Sequence, residues 1–220
     1  MNIAIDGPAG AGKSTIAKIV SQKLGFIYVD TGAMYRAIAV YLLDNDIPVD
    51  DEAAVERGIA GITVEIKYED GAQQVYLNNS NVTGRLRTEK VGNMASKSSA
   101  LPCVREKLLS LQRGLAASYD VVMDGRDIGT NILPDAELKV YLTASTTVRA
   151  QRRYDELKTK GETKLCFEKI EQDIAQRDRQ DMERKIAPLR QAEDAVLVDS
   201  SDMGIEQVAD TIIRLAKGRR

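Results

Sequence analysis

Histidine is absent from the 220 residues of this chain. Catalytic schemes that pair serine or cysteine with an imidazole base are therefore excluded, and so are metal sites with imidazole ligands. Any proton transfer falls to carboxylates. Only two cysteines are present, Cys103 and Cys166. Because they lie far apart and lack metal-ligand spacing, we expect two reduced thiols rather than a disulfide or a zinc site.

Long apolar runs and a large net charge of either sign are also missing. Lys plus Arg number 31 against 33 Asp plus Glu, so the net charge is −2. No apolar run approaches the roughly 20 residues of a membrane span, and Met1 opens directly onto a predicted strand, which leaves no room for a signal peptide. We therefore expect a cytoplasmic protein without membrane or nucleic-acid polymer as partner, and a monomer by default.

A phosphate-binding motif stands at the beginning of the chain. The predicted strand Asn2–Asp6 runs into GPAGAGKS, residues 7 to 14, which matches G-x-x-x-x-G-K-[ST]. Backbone N–H groups of such a loop cradle phosphate oxygens, Lys13 adds a point charge, and Ser14 can offer its hydroxyl to Mg²⁺. A helix is predicted over Lys13–Leu24. The alternative, an ordinary glycine-rich turn, would not need lysine followed by a hydroxyl.

Short apolar runs alternate with longer helical patterns along the chain. Apolar residues on both faces of a strand are typical of a buried parallel sheet. We therefore predict an α/β fold with a doubly wound, five-stranded parallel sheet, whose strand ends gather at one edge with the phosphate loop. The five predicted strands are Asn2–Asp6, Phe26–Asp30, Asp120–Asp124, Leu138–Thr143 and Ala195–Asp199.

One segment departs from this pattern. Apolar residues alternate with polar ones from Ile62 to Tyr68 and again at Val75 and Leu77, and turn residues separate the two runs. This predicts a small antiparallel insert over residues 61–85. We expect a single domain over residues 1–220, made of core segments 1–60, 86–145 and 190–220, the insert 61–85 and a lid region of about 146–189.

Charged turns follow two of the predicted strands. Arg36 ends the run DTGAMYR after the second strand, and Arg126 stands in DGRD after the third. The planar guanidinium group suits phosphate oxygens. For either turn alone, an ion pair with a neighbouring surface aspartate is an equal alternative. Two such turns beside a phosphate loop favour phosphate binding.

Two predicted helices near the carboxyl terminus carry clustered arginines. Arg177, Asp181 and Arg184 share one helix face, and Arg149, Arg152 and Arg153 are spaced i, i+3, i+4. The polar loop 159–164 separates the two helices. This arrangement is typical of a lid that closes cations over transferring phosphates. The alternative is two solvated faces with helical ion pairs, worth about 0.3 to 0.5 kcal/mol each.

Together these motifs resemble the bacterial cytidylate kinase family over essentially the whole chain. The phosphate loop alone specifies only a nucleoside-triphosphate binder, whereas DTGAMYR and DGRDIGT are far narrower. The resemblance implies a P-loop kinase fold with a β-rich insert. It also implies transfer of the γ-phosphoryl group of ATP to CMP or dCMP with Mg²⁺. The motifs are residues 7–14, 30–36, 93–96, 101–105, 124–130, 177–178 and 184–189.

The resemblance also implies roles for individual residues. The residues expected at ATP are Gly7, Pro8, Ala9, Gly10, Ala11, Gly12, Lys13, Ser14, Thr15 and Arg153, with Ser14 also on Mg²⁺. Those expected at CMP are Ser96, Arg105 and Asp127 for cytosine, Arg177 and Asp181 for ribose, and Arg36, Arg126 and Arg184 for the phosphate, with Thr31 and Asp124 nearby. The expected catalytic residues are Lys13, Arg36, Arg126 and Arg184.

The proposed acceptor needs no general base, which suits a chain without histidine. A nucleotide monophosphate has a second pKa of about 6, so it is mostly a dianionic nucleophile at neutral pH. One rival is a P-loop kinase for a hydroxyl acceptor, with Asp30 or Asp124 as its base. Another is a nucleotide-dependent switch of the GTPase kind, which predicts an N-K-x-D motif that the sequence lacks.

Overall fold

The computed structural model describes residues 1–219, which fall into two compact units. The first unit comprises Met1–Tyr28 and Asp120–Arg220, and the second comprises Val29–Tyr119. The elements in chain order are β1 (Asn2–Asp6), α1 (Lys13–Leu24), β2 (Ile27–Asp30), α2 (Thr31–Asp44), α3 (Glu52–Ile59), β3 (Val64–Glu69), β4 (Ala72–Leu77), β5 (Ser80–Asn81), α4 (Glu89–Ser98), α5 (Pro102–Ser118), β6 (Val121–Gly125), β7 (Leu138–Thr143), α6 (Thr146–Thr159), α7 (Phe167–Glu183), β8 (Val196–Asp199) and α8 (Ile205–Lys217).

The five predicted strands form one parallel sheet in the order β2-β6-β1-β7-β8. This confirms the predicted fold class, with strand bounds that differ from the prediction by at most one residue at an end. In the register of the sheet, Asp6 lies opposite Gly125 on β6 and Tyr141 on β7. The ends of the three central strands therefore meet at one edge, directly before the phosphate loop.

Burial along the strands follows their place in the sheet. Every residue of β6 is buried, as are Ile3 to Asp6 of β1, because helices cover both faces of a doubly wound sheet. The edge strand β8 differs, since its Leu197 is 56% exposed. The expectation of two apolar, covered faces thus holds for the central strands and fails at this edge.

A close backbone approach fixes the start of the phosphate loop. Gly7 has a φ of 149°, and a Cβ atom built there would lie 1.9 Å from the carbonyl oxygen of Leu142 on β7. No side chain can occupy that space. The loop then enters α1, whose bounds match the predicted helix and whose Ile16 and Val20 join the core beneath the sheet.

Helices α6 and α7 pack against each other in the first unit. The rings of Tyr154 and Phe167 meet edge to face with centroids 6.4 Å apart, and Thr147 Oγ1 donates to Glu171 at 2.6 Å. Helix α6 ends at Thr159, where the polar loop was predicted, and α7 spans the predicted residues 167–183. The two predicted helices and the loop between them are therefore present. Their action as a lid stays a prediction.

The second unit contains the predicted antiparallel insert. Strands β3 and β4 pair with Val64 opposite Leu77, and Asp70 and Gly71 between them both have positive φ, as tight hairpins require. A short third strand, β5, pairs with β4. The sequence prediction of an antiparallel sheet is confirmed, and β5 is an addition to it.

Two short helices of the second unit were not predicted from the sequence. Asp51 caps α3 by accepting the Ala54 amide at 2.9 Å, and Thr88 caps α4 by accepting the Val91 amide at 3.3 Å. These helices have only eight and ten residues. Too few turns are present for a clear apolar period, so the capping residues were the available signal.

Both cysteines are free thiols, as expected. Within residues 1–219, no helix is long and apolar enough to cross a membrane.

Replacing Gly7 with alanine should destabilise the fold strongly, because the new Cβ would collide with the Leu142 carbonyl. We expect a loss of about 3 kcal/mol or more in the free energy of unfolding, measured by urea denaturation. Gly25→Ala is the matched control, since Gly25 has a φ of 72° with nothing within 4 Å of the added Cβ. It should cost about 1 kcal/mol. Equal losses in the two variants would contradict the steric argument.

Candidate active site

Lys13 is buried inside the phosphate loop. Its ammonium group donates to the Pro8 carbonyl at 2.7 Å, and the residue is only 5% exposed. Burial lowers the pKa of Lys13 well below its usual range, and the nearby Arg126 acts in the same direction, against the opposing carboxylates Asp124 and Asp181. Because an anion stabilises the charged form of an amine, a phosphate group beside Lys13 would favour the ammonium state.

The other loop residues lie around this lysine. Gly10 and Gly12 have positive φ, at 76° and 87°, which lets the loop backbone curl as phosphate-binding nests do. Ala11 is buried in the core, and Thr15 is exposed in the first turn of α1. The predicted phosphate cradle is therefore built by backbone conformation, with Lys13 as its central charge.

Ser14 and Asp124 place two oxygen donors beside each other. Ser14 Oγ donates to Asp124 Oδ2 at 2.9 Å, and the hydroxyl of Tyr28 donates to Asp124 Oδ1 at 2.9 Å. Hard oxygen ligands suit Mg²⁺, which commonly binds one or two protein groups together with phosphates and waters. This pair fits such an ion, whereas no cluster of three or more His, Cys, Asp or Glu that could hold a metal occurs in residues 1–219.

Asp6 anchors the turn that follows β6. Its carboxylate accepts the amides of Ile128 at 2.8 Å and Gly129 at 2.7 Å. Burial raises the pKa of Asp6 to about 6, although the two amides act in the opposite direction. The anchored turn carries Asp127. Sequence reasoning missed Asp6 as a site-forming residue, although its place at the end of β1 was a usable signal.

Four buried or mostly buried side chains form an arginine–carboxylate cluster, made of Arg126, Asp127, Asp181 and Arg184. Arg126 Nε donates to Asp181 Oδ2 at 2.8 Å. Arg184 reaches Asp127 at 3.5 Å and Asp181 at 3.9 Å. Arg126 therefore pairs with a carboxylate of α7 rather than with a surface aspartate of its own turn.

The cluster favours the charged state of Asp181. Burial alone would raise the pKa of Asp181, but Arg126, Arg184 and Arg177 together hold it below its ordinary value. Arg177 is half-buried one turn before Asp181 on α7. Arg184 follows the end of α7 in an extended conformation rather than lying on the predicted helix face, but it still acts on Asp181.

The segment after α7 orients Arg184. Arg184 Nε donates to the Ala187 carbonyl at 2.7 Å, and the Leu189 amide donates to the Asp181 carbonyl at 2.8 Å. Ala187 has a φ of 46°, a left-handed conformation that costs a residue with a Cβ about 1 to 3 kcal/mol. The returning chain closes a small loop that fixes the direction of the Arg184 guanidinium.

The three arginines of α6 have different partners. Arg152 donates to the Ser200 carbonyl at 2.7 Å, and Arg153 forms an exposed ion pair with Glu156 at 2.8 Å. Arg149 is buried. Their common spacing therefore does not bring the three guanidinium groups to a common partner, and only Arg153 is left at the surface.

Arg149 and Asp178 clamp the phosphate loop at Ala9. Arg149 Nη1 donates to Asp178 at 2.6 Å and to the Ala9 carbonyl at 2.9 Å, while the Ala9 amide donates to Asp178 at 3.3 Å. Arg149 Nε also donates to the Ala144 carbonyl at 2.8 Å. One buried ion pair thus ties helices α6 and α7 to the loop. Asp178 belongs to one of the family motifs, but sequence reasoning assigned it no role.

In the second unit, the first two turns of α2 hold Thr31 and Arg36. Asp30 caps this helix by accepting the Ala33 amide at 2.9 Å. A Cβ built at Gly32 would lie 2.8 Å from Arg36 Nη1 and 3.2 Å from Asp30 Oδ1. The glycine therefore lets the Arg36 side chain fold back over the start of its own helix. Thr31, the first residue of α2, is buried.

Ser96 and Arg105 are linked through Ser99 at the junction of α4 and α5. Arg105 Nη1 donates to the Ser99 carbonyl at 3.2 Å, and Ser99 Oγ donates to the Ser96 carbonyl at 3.0 Å. The Arg105 guanidinium also lies 5.7 Å from the centroid of the Tyr35 ring, a cation–π distance. These contacts hold the predicted cytosine-reading arginine in place within its unit.

A glycine-rich phosphate loop between a central parallel strand and a helix, with a carboxylate at the end of the neighbouring strand, defines a P-loop protein of the kinase class. The sequence profile of the cytidylate kinase family matches residues 3–218. The chain therefore belongs to the cytidylate kinase family.

Individual proteins agree with this assignment. A cytidylate kinase from Halalkalibacterium halodurans is 48% identical over 219 residues, covering 100% of this chain and 98% of that protein. One from Lactobacillus johnsonii is 45% identical over 220 residues, covering 100% and 95%. An uncharacterized protein from Eubacterium ventriosum shares the fold with a TM-score of 0.52 at 12% identity, covering 99% and 98% of the two chains.

Replacing Arg149 with methionine should remove the charge that balances buried Asp178. We expect a loss of about 3 to 5 kcal/mol in the free energy of unfolding, since an uncompensated buried carboxylate remains. Arg153→Met on the same helix is the matched control and should cost about 1 kcal/mol or less. Denaturant titration of both variants measures the difference. Similar denaturation midpoints for the two variants would refute this prediction, because they would show that the Arg149–Asp178 pair contributes little to stability.

Proposed function

We propose that the protein transfers the γ-phosphoryl group of ATP to CMP or dCMP, giving CDP or dCDP and ADP, in pyrimidine nucleotide metabolism. The observation that carries the proposal is the arginine–carboxylate cluster next to the phosphate loop. Arg126 and Asp181 of that cluster lie close enough to Lys13 to alter its pKa. Membership of the cytidylate kinase family supports the same reaction.

The donor nucleotide is assigned to the phosphate loop. Its backbone amides and Lys13 would bind the β- and γ-phosphates, and Thr15 follows in the first turn of α1. Ser14, joined by Asp124, would hold Mg²⁺, which neutralises phosphate charge when bound. Arg153 is assigned to ATP from the family resemblance. Its exposed ion pair with Glu156 would not prevent this, because breaking such a pair costs only about 1 kcal/mol or less.

The acceptor nucleotide is assigned residues in each unit. In the first unit, Arg126 and Arg184 would bind its phosphate, Arg177 and Asp181 its ribose, and Asp127 its base, with Asp124 nearby. In the second unit, Thr31 and Arg36 would bind the phosphate, and Ser96 and Arg105 the base. The support is chemical: guanidinium groups bind phosphate oxygens through paired hydrogen bonds, and buried carboxylates accept from hydroxyl and amino groups.

The reaction needs positioning and charge stabilisation rather than proton transfer. An oxygen of the CMP phosphate forms the bond to the γ-phosphorus while the bond to the bridging oxygen breaks, and its electron pair leaves with ADP. Lys13, Arg36, Arg126 and Arg184 would stabilise the charge on the transferred oxygens. The dianionic acceptor carries no proton that must be removed, which agrees with the absence of histidine.

Base selection is assigned to Asp127 and Arg105. A carboxylate facing the exocyclic amino group of cytosine and a guanidinium facing its ring acceptors would match that base. Uracil presents an acceptor where cytosine presents the amino donor, so a buried carboxylate would lose its partner.

We further propose that the protein is cytoplasmic, acts as a monomer and does not bind a nucleic-acid polymer.

The test is a coupled assay with ATP and Mg²⁺ against AMP, GMP, UMP, CMP, dCMP and shikimate. We expect ADP release to depend on CMP or dCMP, with weaker use of the other monophosphates. Shikimate tests the rival in which a carboxylate activates a hydroxyl. ATP consumption that is independent of any added acceptor would contradict the proposal and favour a nucleotide-dependent switch.

Replacing Asp127 with asparagine should weaken the preference for CMP over UMP, because the amide can donate to the uracil oxygen. We expect the ratio of kcat/KM for CMP to that for UMP to fall at least about tenfold. Asp135→Asn, at an exposed position nearby, controls for the loss of one charge. An unchanged ratio in Asp127→Asn would remove this residue from base reading.

A further inference from the structure

Gln73 of the insert binds the backbone of Asp30 through both ends of its side-chain amide. The Asp30 amide donates to Gln73 Oε1 at 2.9 Å, and Gln73 Nε2 donates to the Asp30 carbonyl at 3.2 Å. The two residues are 43 positions apart in the chain. Both belong to the second unit.

These two hydrogen bonds take the place of the backbone pairing that a further strand beside β2 would provide. Asp30 is the last residue of β2, which stands at an edge of the five-stranded sheet. Edge strands leave backbone donors and acceptors without a neighbouring strand. Because a side-chain amide carries one donor side and one acceptor side, Gln73 can bond a single residue as a neighbouring strand would. The insert is thereby linked to the end of β2.

The remaining polar atoms of Asp30 define the start of α2. Asp30 Oδ1 accepts the Ala33 amide, and Oδ2 accepts Arg87 Nη2 at 2.9 Å. The four hydrogen-bonding groups of Asp30 thus have partners within the second unit. Thr31 and Gly32 follow immediately, and Arg36 lies one turn after Gly32. The direction of the first turn of α2 therefore depends on how Asp30 is held.

We propose that Gln73 is a positioning residue for the acceptor phosphate, acting through Asp30 on Thr31 and Arg36. The insert then contributes to the reaction through a single amide pair rather than by touching the nucleotide with Gln73. The inference rests on the proposed function for Arg36, and it assigns the insert a role that its sequence does not reveal.

The neighbouring glutamine provides a matched control. Gln74 lies on the same strand and is half-buried like Gln73, but its side chain bonds Asn81 inside the insert, at 3.3 Å. Gln73→Met keeps the length of the side chain and loses both hydrogen bonds to Asp30. Gln74→Met makes the same chemical change one residue away without affecting Asp30.

The experiment compares both variants with the unaltered protein by steady-state kinetics and amide hydrogen exchange. For Gln73→Met we expect KM for CMP to rise about five- to tenfold, from the lost hydrogen bonds, with KM for ATP unchanged. The Asp30 amide should exchange faster in this variant. Gln74→Met should match the unaltered protein in all three measurements.

The two readouts separate the inference from the reaction on which it rests. An unaltered protein that does not phosphorylate CMP would refute the proposed function, whereas exchange at Asp30 would still report the amide pair. A normal KM for CMP in Gln73→Met would overturn the positioning role. Equal rises in KM for CMP and ATP would also overturn it, because they would indicate a general loss of structure.

Discussion

Buried charge is the constraint on which the rest of the site depends. Asp6, Lys13, Asp124 and Asp181 are all nearly inaccessible to solvent, and an isolated charge in such surroundings would be prohibitively costly. Three strands of the sheet end at one edge, where opposite charges and backbone amides lie close enough to compensate these buried charges. The proposed phosphate site is therefore also the place where the first unit must balance its own charges.

The need to balance buried charge also explains why helices α6 and α7, late in the chain, bond the phosphate loop near its beginning. Arg149 and Asp178 neutralise each other, and each also bonds the backbone of Ala9 in the phosphate loop. A loop made mostly of glycine and alanine has few side chains with which to hold itself. Support from α6 and α7 supplies the rigidity that its composition cannot provide.

Much of the architecture could be predicted from the sequence because its signals are local. The phosphate loop, the bounds of α1 and the strands β1 and β7 follow from adjacent residues and their apolar pattern. Asp178 and Gln73 could not be found in that way, since each acts through a partner on a distant segment and leaves no periodic trace. Asp124 was expected at the site from its motif, but its contact with Ser14 appears only when β1 and β6 are neighbours in the sheet.

The left-handed conformation of Ala187 limits which residues evolution can place there. Glycine would relieve the strain and asparagine would tolerate it, whereas β-branched residues would resist this backbone. We therefore expect substitutions at position 187 to be limited by backbone handedness rather than by side-chain contact. The backbone of this turn, and not the side chain at position 187, thereby sets the direction of the Arg184 guanidinium.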